Sequence, residues 1–147
     1  MRRDYFTLKT AGVAADESGG PTVSITYEGP TDELETRLRR EDGQLDGDGV
    51  DVAYRLREPL DAEAPTGVFA VSDRVPGEYV LEVNAESASI LSVVEAASAD
   101  ADGRYRLVIE TDDGNRLAAY DKSTLLVYDG DGNLLRDRSL IPSGVEI

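Results

Sequence analysis

Alternation of apolar and polar residues is the dominant pattern along this chain. The clearest run covers residues 50–57, and a second covers Thr22–Tyr27. A period of two predicts strands with one buried face. Further strands are predicted at residues 5–10, 68–71, 79–83, 105–111, 116–120, 124–128 and 134–141.

A first helix is predicted just after the Gly-Pro break at residues 29 and 30. Leu34 and Leu38 lie four residues apart on one face, and Thr31 or Asp32 caps the first turn. The predicted helix closes on three arginines, Arg37, Arg39 and Arg40. Because cations favour the carboxyl end of a helix and acidic residues surround this cluster, we interpret it as structural rather than as a nucleic-acid contact.

A second helix is predicted over residues 87–98. Ser87 is placed to cap it, and its apolar positions, Ile90, Leu91, Val93, Val94 and Ala97, follow helical spacing. The helix ends at a small, acidic segment that contains Gly103.

Turn residues join the predicted strands. Pro76-Gly77 fits a type II turn, and the Asp-Gly pairs of the last third fit tight hairpins, which predicts a meander there. The hairpin within residues 66–85 resembles the end of small immunoglobulin-like or prealbumin-like sandwiches. The expected fold class is α+β, with mostly antiparallel strands in a sandwich or curved sheet and two short helices.

A chain of 147 residues is long enough for one real core. We expect a single compact domain over residues 1–147. A sub-boundary is also considered, between a sandwich-like half at residues 1–85 and a helix plus meander at residues 86–147.

The large excess of acidic residues is the most informative feature of the composition. The chain has 30 acidic and 15 basic residues, a formal net charge of -15, and its lysines are Lys9 and Lys122 alone. Acidity combined with lysine depletion resembles haloarchaeal cytoplasmic proteins. Salt screens repulsion between surface carboxylates, so we expect the fold to loosen when salt is removed. The same charge argues against nucleic-acid partners, which require clustered basic residues.

The residue types that the chain lacks exclude several classes of catalytic and metal-binding site. The chain has no cysteine and no histidine, which removes disulfides, thiol nucleophiles, Cys- or His-ligated zinc and histidine-based triads. No apolar run approaches the ~20 residues of a membrane span, and no secretory signal opens the chain. We therefore expect a cytoplasmic protein that binds no membrane and no cofactor.

Three residues near the end have the spacing that begins a calcium loop: Asp129, Asp131 and Asn133. Leu134 stands where that loop needs glycine, and Leu140 where it needs a bidentate glutamate. A hairpin turn is therefore the favoured interpretation, and no metal is expected. A small-molecule or cation-binding domain, with Tyr54, Arg55 or Arg57 in a pocket, stays open as an alternative, and a hydrolase using paired carboxylates is a third.

The carboxyl terminus is unusually apolar for so acidic a chain. Its candidate interaction residues are Leu140, Ile141, Pro142, Val145 and Ile147. Such a tail either closes the protein's own sheet or adds a strand to a partner or a second copy. With no catalytic residue pattern, the favoured function is a non-catalytic protein-interaction or self-assembly module.

The two ends of the chain carry a family resemblance. The opening eight residues from Met1 and the closing segments Leu134-Leu135-Arg136 and 139–146 resemble an uncharacterised family of haloarchaeal cytoplasmic proteins. The resemblance spans the whole chain. It implies a type of host and no particular activity.

Overall fold

The structure is a computed structural model that describes residues 5–11, 21–29, 39–40, 43–44, 50–73, 79–99 and 103–141. Within these ranges the chain is mostly β. The strands are β1 (Phe6–Ala11), β2 (Thr22–Tyr27), β3 (Arg39–Arg40), β4 (Gly43–Gln44), β5 (Val50–Leu56), β6 (Thr66–Asp73), β7 (Tyr79–Glu86), β8 (Tyr105–Thr111), β9 (Arg116–Lys122) and β10 (Leu126–Tyr128). Helix α1 spans Ser87–Ala99, and a 3₁₀ turn spans Arg136–Arg138.

Two mixed sheets of four strands carry the fold. The first has the order β1-β2-β8-β9 and the second β10-β5-β6-β7, while β3 and β4 form a short ladder of their own. Strand β2 pairs parallel with β8, and β10 pairs parallel with β5; the other pairs are antiparallel. Each four-stranded sheet thus contains strands from both sides of residue 85.

The prediction of a β-rich fold is confirmed, but three details of it are wrong. The described sheets are open and mixed rather than a clear sandwich, although most of their strand pairs are antiparallel as expected. The predicted meander fails because β10 leaves β8 and β9 and joins the second sheet beside β5. Residues 134–141 form no regular strand; they make two isolated bridges on either side of the 3₁₀ turn.

The helix predictions have different outcomes. The second helix is confirmed, with α1 beginning at Ser87 as expected. The first was predicted to end at Arg40, yet Arg39–Arg40 is strand β3, so that end is wrong. The rest of that prediction, including Thr31, Asp32 and Arg37, lies outside the described residues. The described part of the chain therefore contains one α-helix.

One apolar core joins the two sheets. Alternate residues of both sheets and one face of α1 form a single buried cluster, whose largest members include Tyr27, Tyr54, Phe69 and Tyr105. The Tyr54 hydroxyl donates to Ala85 O at 2.9 Å, and the Tyr105 hydroxyl donates to Thr124 O at 2.9 Å. Burial raises the pKa of both phenols, so they stay protonated donors.

A buried lysine connects the sheets where the chain crosses between them. Lys122 ends β9 on its inward face and is 7% exposed. Its Nζ donates to Val50 O at the start of β5, at 2.7 Å. A charged donor placed on a buried carbonyl satisfies a backbone group that would otherwise lose its hydrogen bond to water.

Candidate functional site

The apolar tail begins inside the core. Leu140 is 6% exposed and forms a two-way backbone bridge with Leu125, at 3.0 and 2.9 Å. Ile141 is half-buried. The other candidate interaction residues of the tail, Pro142, Val145 and Ile147, lie outside the described residues. The beginning of this segment is therefore bound to the chain's own sheet.

The residues just before this tail, 134–139, cover the free edge of β10. Leu135 N donates to Val127 O at 2.8 Å, and Val127 N donates to Ser139 Oγ at 2.9 Å. An uncovered strand edge would present unpaired amides and carbonyls to other chains. Since the chain itself supplies these partners, β10 offers no edge along this stretch for adding a foreign strand.

The three residues with calcium-loop spacing lie in a turn, as favoured from the sequence, and one carboxylate stabilises it. Asp129 Oδ1 accepts hydrogen bonds from Asp131 N at 3.0 Å and Asn133 N at 2.9 Å, and Asn133 Nδ2 donates to Asp129 Oδ2 at 3.4 Å. Both carboxylate oxygens therefore accept bonds from within the turn itself. Among the residues the structure describes, no three acidic side chains gather as a metal site.

These bonds stabilise the ionised form of Asp129. They lower the pKa of the Asp129 carboxyl from its ordinary 3.8, chiefly through the bond from Asn133 N. A folded-state pKa below the unfolded value stabilises the fold at higher pH, and this contribution is lost as pH falls through the folded pKa. The turn should therefore weaken in acid below about pH 4.

We expect Asp129→Asn to lower stability slightly at pH 7, with the difference from wild type shrinking below pH 4 as wild-type Asp129 protonates. Urea titrations at low protein concentration, followed by tyrosine fluorescence at a series of pH values, measure this difference in stability. Asp131→Asn is the matched control, because it removes the same charge from the same turn and leaves the three bonds to Asp129. Equal pH profiles for the two variants would contradict the assignment.

The pocket residues considered from the sequence do not converge. Tyr54 is fully buried and points into the core, where it bonds Ala85 O. Arg55 in β5 and Arg57 just after it are exposed on the opposite side, and Arg57 Nη2 donates to Asn84 Oδ1 at 2.6 Å. This divergence follows from the period of two in β5, which places Tyr54 and the arginines on opposite faces.

The outward side of β10-β5-β6-β7, which we call the outer sheet face, carries an apolar group of side chains. Its apolar members, all half-buried, are Ala53, Val68, Ala70, Leu126 and Tyr128. The register places Leu126, Ala53 and Ala70 in one row across β10, β5 and β6, and Tyr128 lies in the next row with Arg55 and Val68. The result is a partly exposed surface of adjoining apolar side chains, with Arg55 between Tyr128 and Val68.

Charged residues flank this apolar surface on two sides. Arg55 in β5 lies within the second row and Arg57 follows the strand, whereas β7 contributes Glu82 and Glu86 on the far side of β6. A Cβ built on Gly132 would lie 4.0 Å from Arg55 Nη2, so this guanidinium reaches the turn that follows β10. Arg55 thus lies toward β10, beside a turn that carries Asp129 and Asp131, and Glu82 and Glu86 lie toward β7.

The fold and this surface define a small mixed-β protein with two open sheets and one described α-helix. It belongs to a family of unknown function, DUF5793, whose model matches residues 1–147. The match confirms the predicted membership of an uncharacterised family across the whole chain. No curated protein and no solved structure matches the chain. Within the described ranges, no helix is long and apolar enough to cross a membrane.

Proposed function

We propose that this chain is a non-catalytic protein-interaction module and that the outer sheet face is its binding surface. One observation carries the proposal: five apolar side chains form adjoining rows on the outward side of the second sheet and remain partly exposed. Contiguous exposed apolar surface with a polar rim is characteristic of sites that bind other proteins. An open sheet face suits a protein partner better than an enclosed small ligand.

The charge at this surface supports the same function. Arg55 lies within this surface and Arg57 beside it, and the same side of the sheet also carries the acidic Asp51, Glu82 and Glu86. Arginine is enriched at protein interfaces because its planar head pairs with carboxylates and its stem packs on apolar groups. The surface therefore fits a partner that presents apolar side chains together with charged ones.

Composition supports a cytoplasmic setting with concentrated salt for this module. Fifteen excess negative charges keep the chain hydrated, and molar salt screens their mutual repulsion. The loss of lysine in favour of arginine accords with the same setting, and so does the resemblance to haloarchaeal proteins. We propose that residues 1–147 act as one domain, since both sheets need strands from either side of residue 85.

Two matched substitutions test the binding surface. Ala70→Asp puts a charge at the centre of the outer sheet face, and Ala119→Asp puts the same charge on an exposed position of the first sheet. Each folded variant and the wild type are immobilised and incubated with cell extract in molar KCl. We expect Ala70→Asp to lose bound protein that the wild type and Ala119→Asp retain.

The experiment compares the proteins bound by Ala70→Asp with those bound by Ala119→Asp. Circular dichroism in the same salt establishes that both variants are folded before the comparison. Identical sets of bound proteins for Ala70→Asp and Ala119→Asp would show that the outer sheet face does not carry the binding, and the proposed surface would be wrong.

A further inference from the structure

A covering segment supplies β10 with its second set of hydrogen-bond partners. This strand has three residues and pairs with β5 on one side. Residues 134–139, which we call the strap, run antiparallel along its other side. Backbone amides at alternate positions face the strap, whereas those of Leu126 and Tyr128 face β5. The strap and β5 thus hold β10 between them.

The strap does not form a regular ladder with β10. Tyr128 lies opposite Leu134. In a regular antiparallel ladder continued from this pair, Leu125 would lie opposite Asp137. It lies opposite Leu140 instead, because the three residues of the 3₁₀ turn are inserted as in a large bulge. The insertion interrupts the ladder opposite the middle of β10.

The hydroxyl of Ser139 completes the interrupted ladder. Leu135 N donates to Val127 O at 2.8 Å, as a regular ladder requires. The return bond from Val127 N to Leu135 O is replaced by two bonds through the hydroxyl. Ser139 Oγ accepts from Val127 N at 2.9 Å and donates to Leu135 O at 2.8 Å. Because Val127 is fully buried, loss of this hydroxyl would leave its amide without a partner at a cost in free energy.

Closure of the strap affects the outer sheet face, because β10 supplies two of its apolar members. Leu126 and Tyr128 are half-buried on the outward side, and the register places them beside Ala53 and Arg55 of β5. These two side chains keep their place in the surface while β10 stays paired with β5. A strand of three residues forms few bonds to β5, so the bonds to the strap contribute a large share of what holds it.

We propose that Ser139 is a positioning residue for the outer sheet face. Its hydroxyl closes the strap on β10, and this closure keeps Leu126 and Tyr128 in the surface. The proposal rests on the proposed function, because it names a residue that maintains that same surface. Ser139 acts through the strap and β10 rather than by touching the bound protein.

Amide hydrogen exchange of the full chain in molar KCl, followed by NMR, tests the closure. In the wild type, the amides of Leu126 and Tyr128 should exchange faster than that of Ile109 on the interior strand β8, because β10 opens apart from the rest of the fold. Ser139→Ala should speed exchange at both β10 amides about 10-fold, since it leaves two backbone groups without their partner.

Two further variants control this measurement. Ser139→Thr keeps a hydroxyl at the same position and should restore the wild-type exchange rates. Ser92→Ala is the matched control, because it removes a hydroxyl that donates to a backbone carbonyl within α1 at 2.8 Å. It should leave exchange at the β10 amides unchanged. Wild-type β10 amides that exchange no faster than Ile109, or wild-type rates in Ser139→Ala, would overturn the closure.

The extract-binding comparison separates this proposal from the proposed function. If Ala70→Asp loses bound protein, Ser139→Ala should lose the same protein and Ser139→Thr should retain it. Binding that Ser139→Ala leaves unchanged would show that Ser139 does not position the surface, although the surface itself would stand. If Ala70→Asp and Ala119→Asp bind the same proteins, the proposed function fails and the positioning role fails with it, whatever the exchange rates show.

Discussion

Gly67→Ala should destabilise the protein by about 3 kcal/mol or more, because the new methyl group has no space. Gly67 is buried on β6, and a Cβ there would clash with Arg55 O and lie 2.7 Å from Tyr54 Cζ. The carbonyl belongs to the β5–β6 ladder and the ring is fully buried, so neither can move without loss. Displacing the ring would also strain the hydrogen bond from Tyr54 to Ala85 O.

The expected loss corresponds to a fall in Tm of roughly 6–12 °C for a chain of this size, measured by calorimetry in molar KCl. Gly130→Ala is the matched control. A Cβ at Gly130 would meet Leu56 O at 3.6 Å and Arg57 O at 3.7 Å, which is ordinary contact. We expect this control to change stability by no more than about 0.5 kcal/mol. Similar losses for both variants would contradict the packing described around Tyr54.

Local periodicity predicted most individual strands well. The bounds of β2 and β8 agree with the predicted segments, and α1 starts at the predicted capping residue, Ser87. Each of these segments buries one regular face: Val23, Ile25 and Tyr27 in β2 are fully buried. Alternation of apolar and polar residues shows which face of a strand is buried, even when the element that packs on that face is unknown.

Local sequence did not predict in the same way which strands pair with one another. The Asp-Gly signal correctly indicated the β8–β9 hairpin, since a tight turn determines which strands pair. The parallel pairs β2–β8 and β5–β10 join segments far apart in the sequence. No local residue pattern encodes such a pairing. The crossing between sheets after Lys122 therefore looked like one more hairpin of a meander.

The candidate surface was missed for a related reason. The apolar tail drew attention because its residues are adjacent in sequence, yet Leu140 lies in the core. The apolar members of the outer sheet face come from three strands that are distant in sequence, β5, β6 and β10. One local signal did exist: Val68-Phe69-Ala70-Val71 is an unbroken apolar run rather than an alternating one. Such a run indicates a strand with apolar side chains on both faces, and here the second face is the proposed binding surface.

Removing salt should produce the second large effect. We expect Tm to fall steeply when KCl is lowered from molar to millimolar concentration, with loss of the folded circular dichroism signal at the lowest salt. The Debye length grows from about 3 Å at 1 M to about 30 Å at 0.01 M, so each carboxylate then repels many others. Folding compresses a net charge of -15 into one compact body, and unfolding relieves this repulsion.

A variant with fewer charges distinguishes this repulsion from a general effect of salt on apolar burial. Three exposed acidic residues, Glu63, Glu95 and Asp112, can be changed to Gln, Gln and Asn. These changes make the net charge less negative and do not alter the core. The triple variant should retain more stability than the wild type in millimolar KCl and show a smaller rise in Tm as KCl is added. Sucrose, which strengthens apolar burial without screening, should raise Tm equally in both proteins. A wild-type Tm that does not change with KCl would contradict the electrostatic argument, and so would identical KCl dependence in the two proteins.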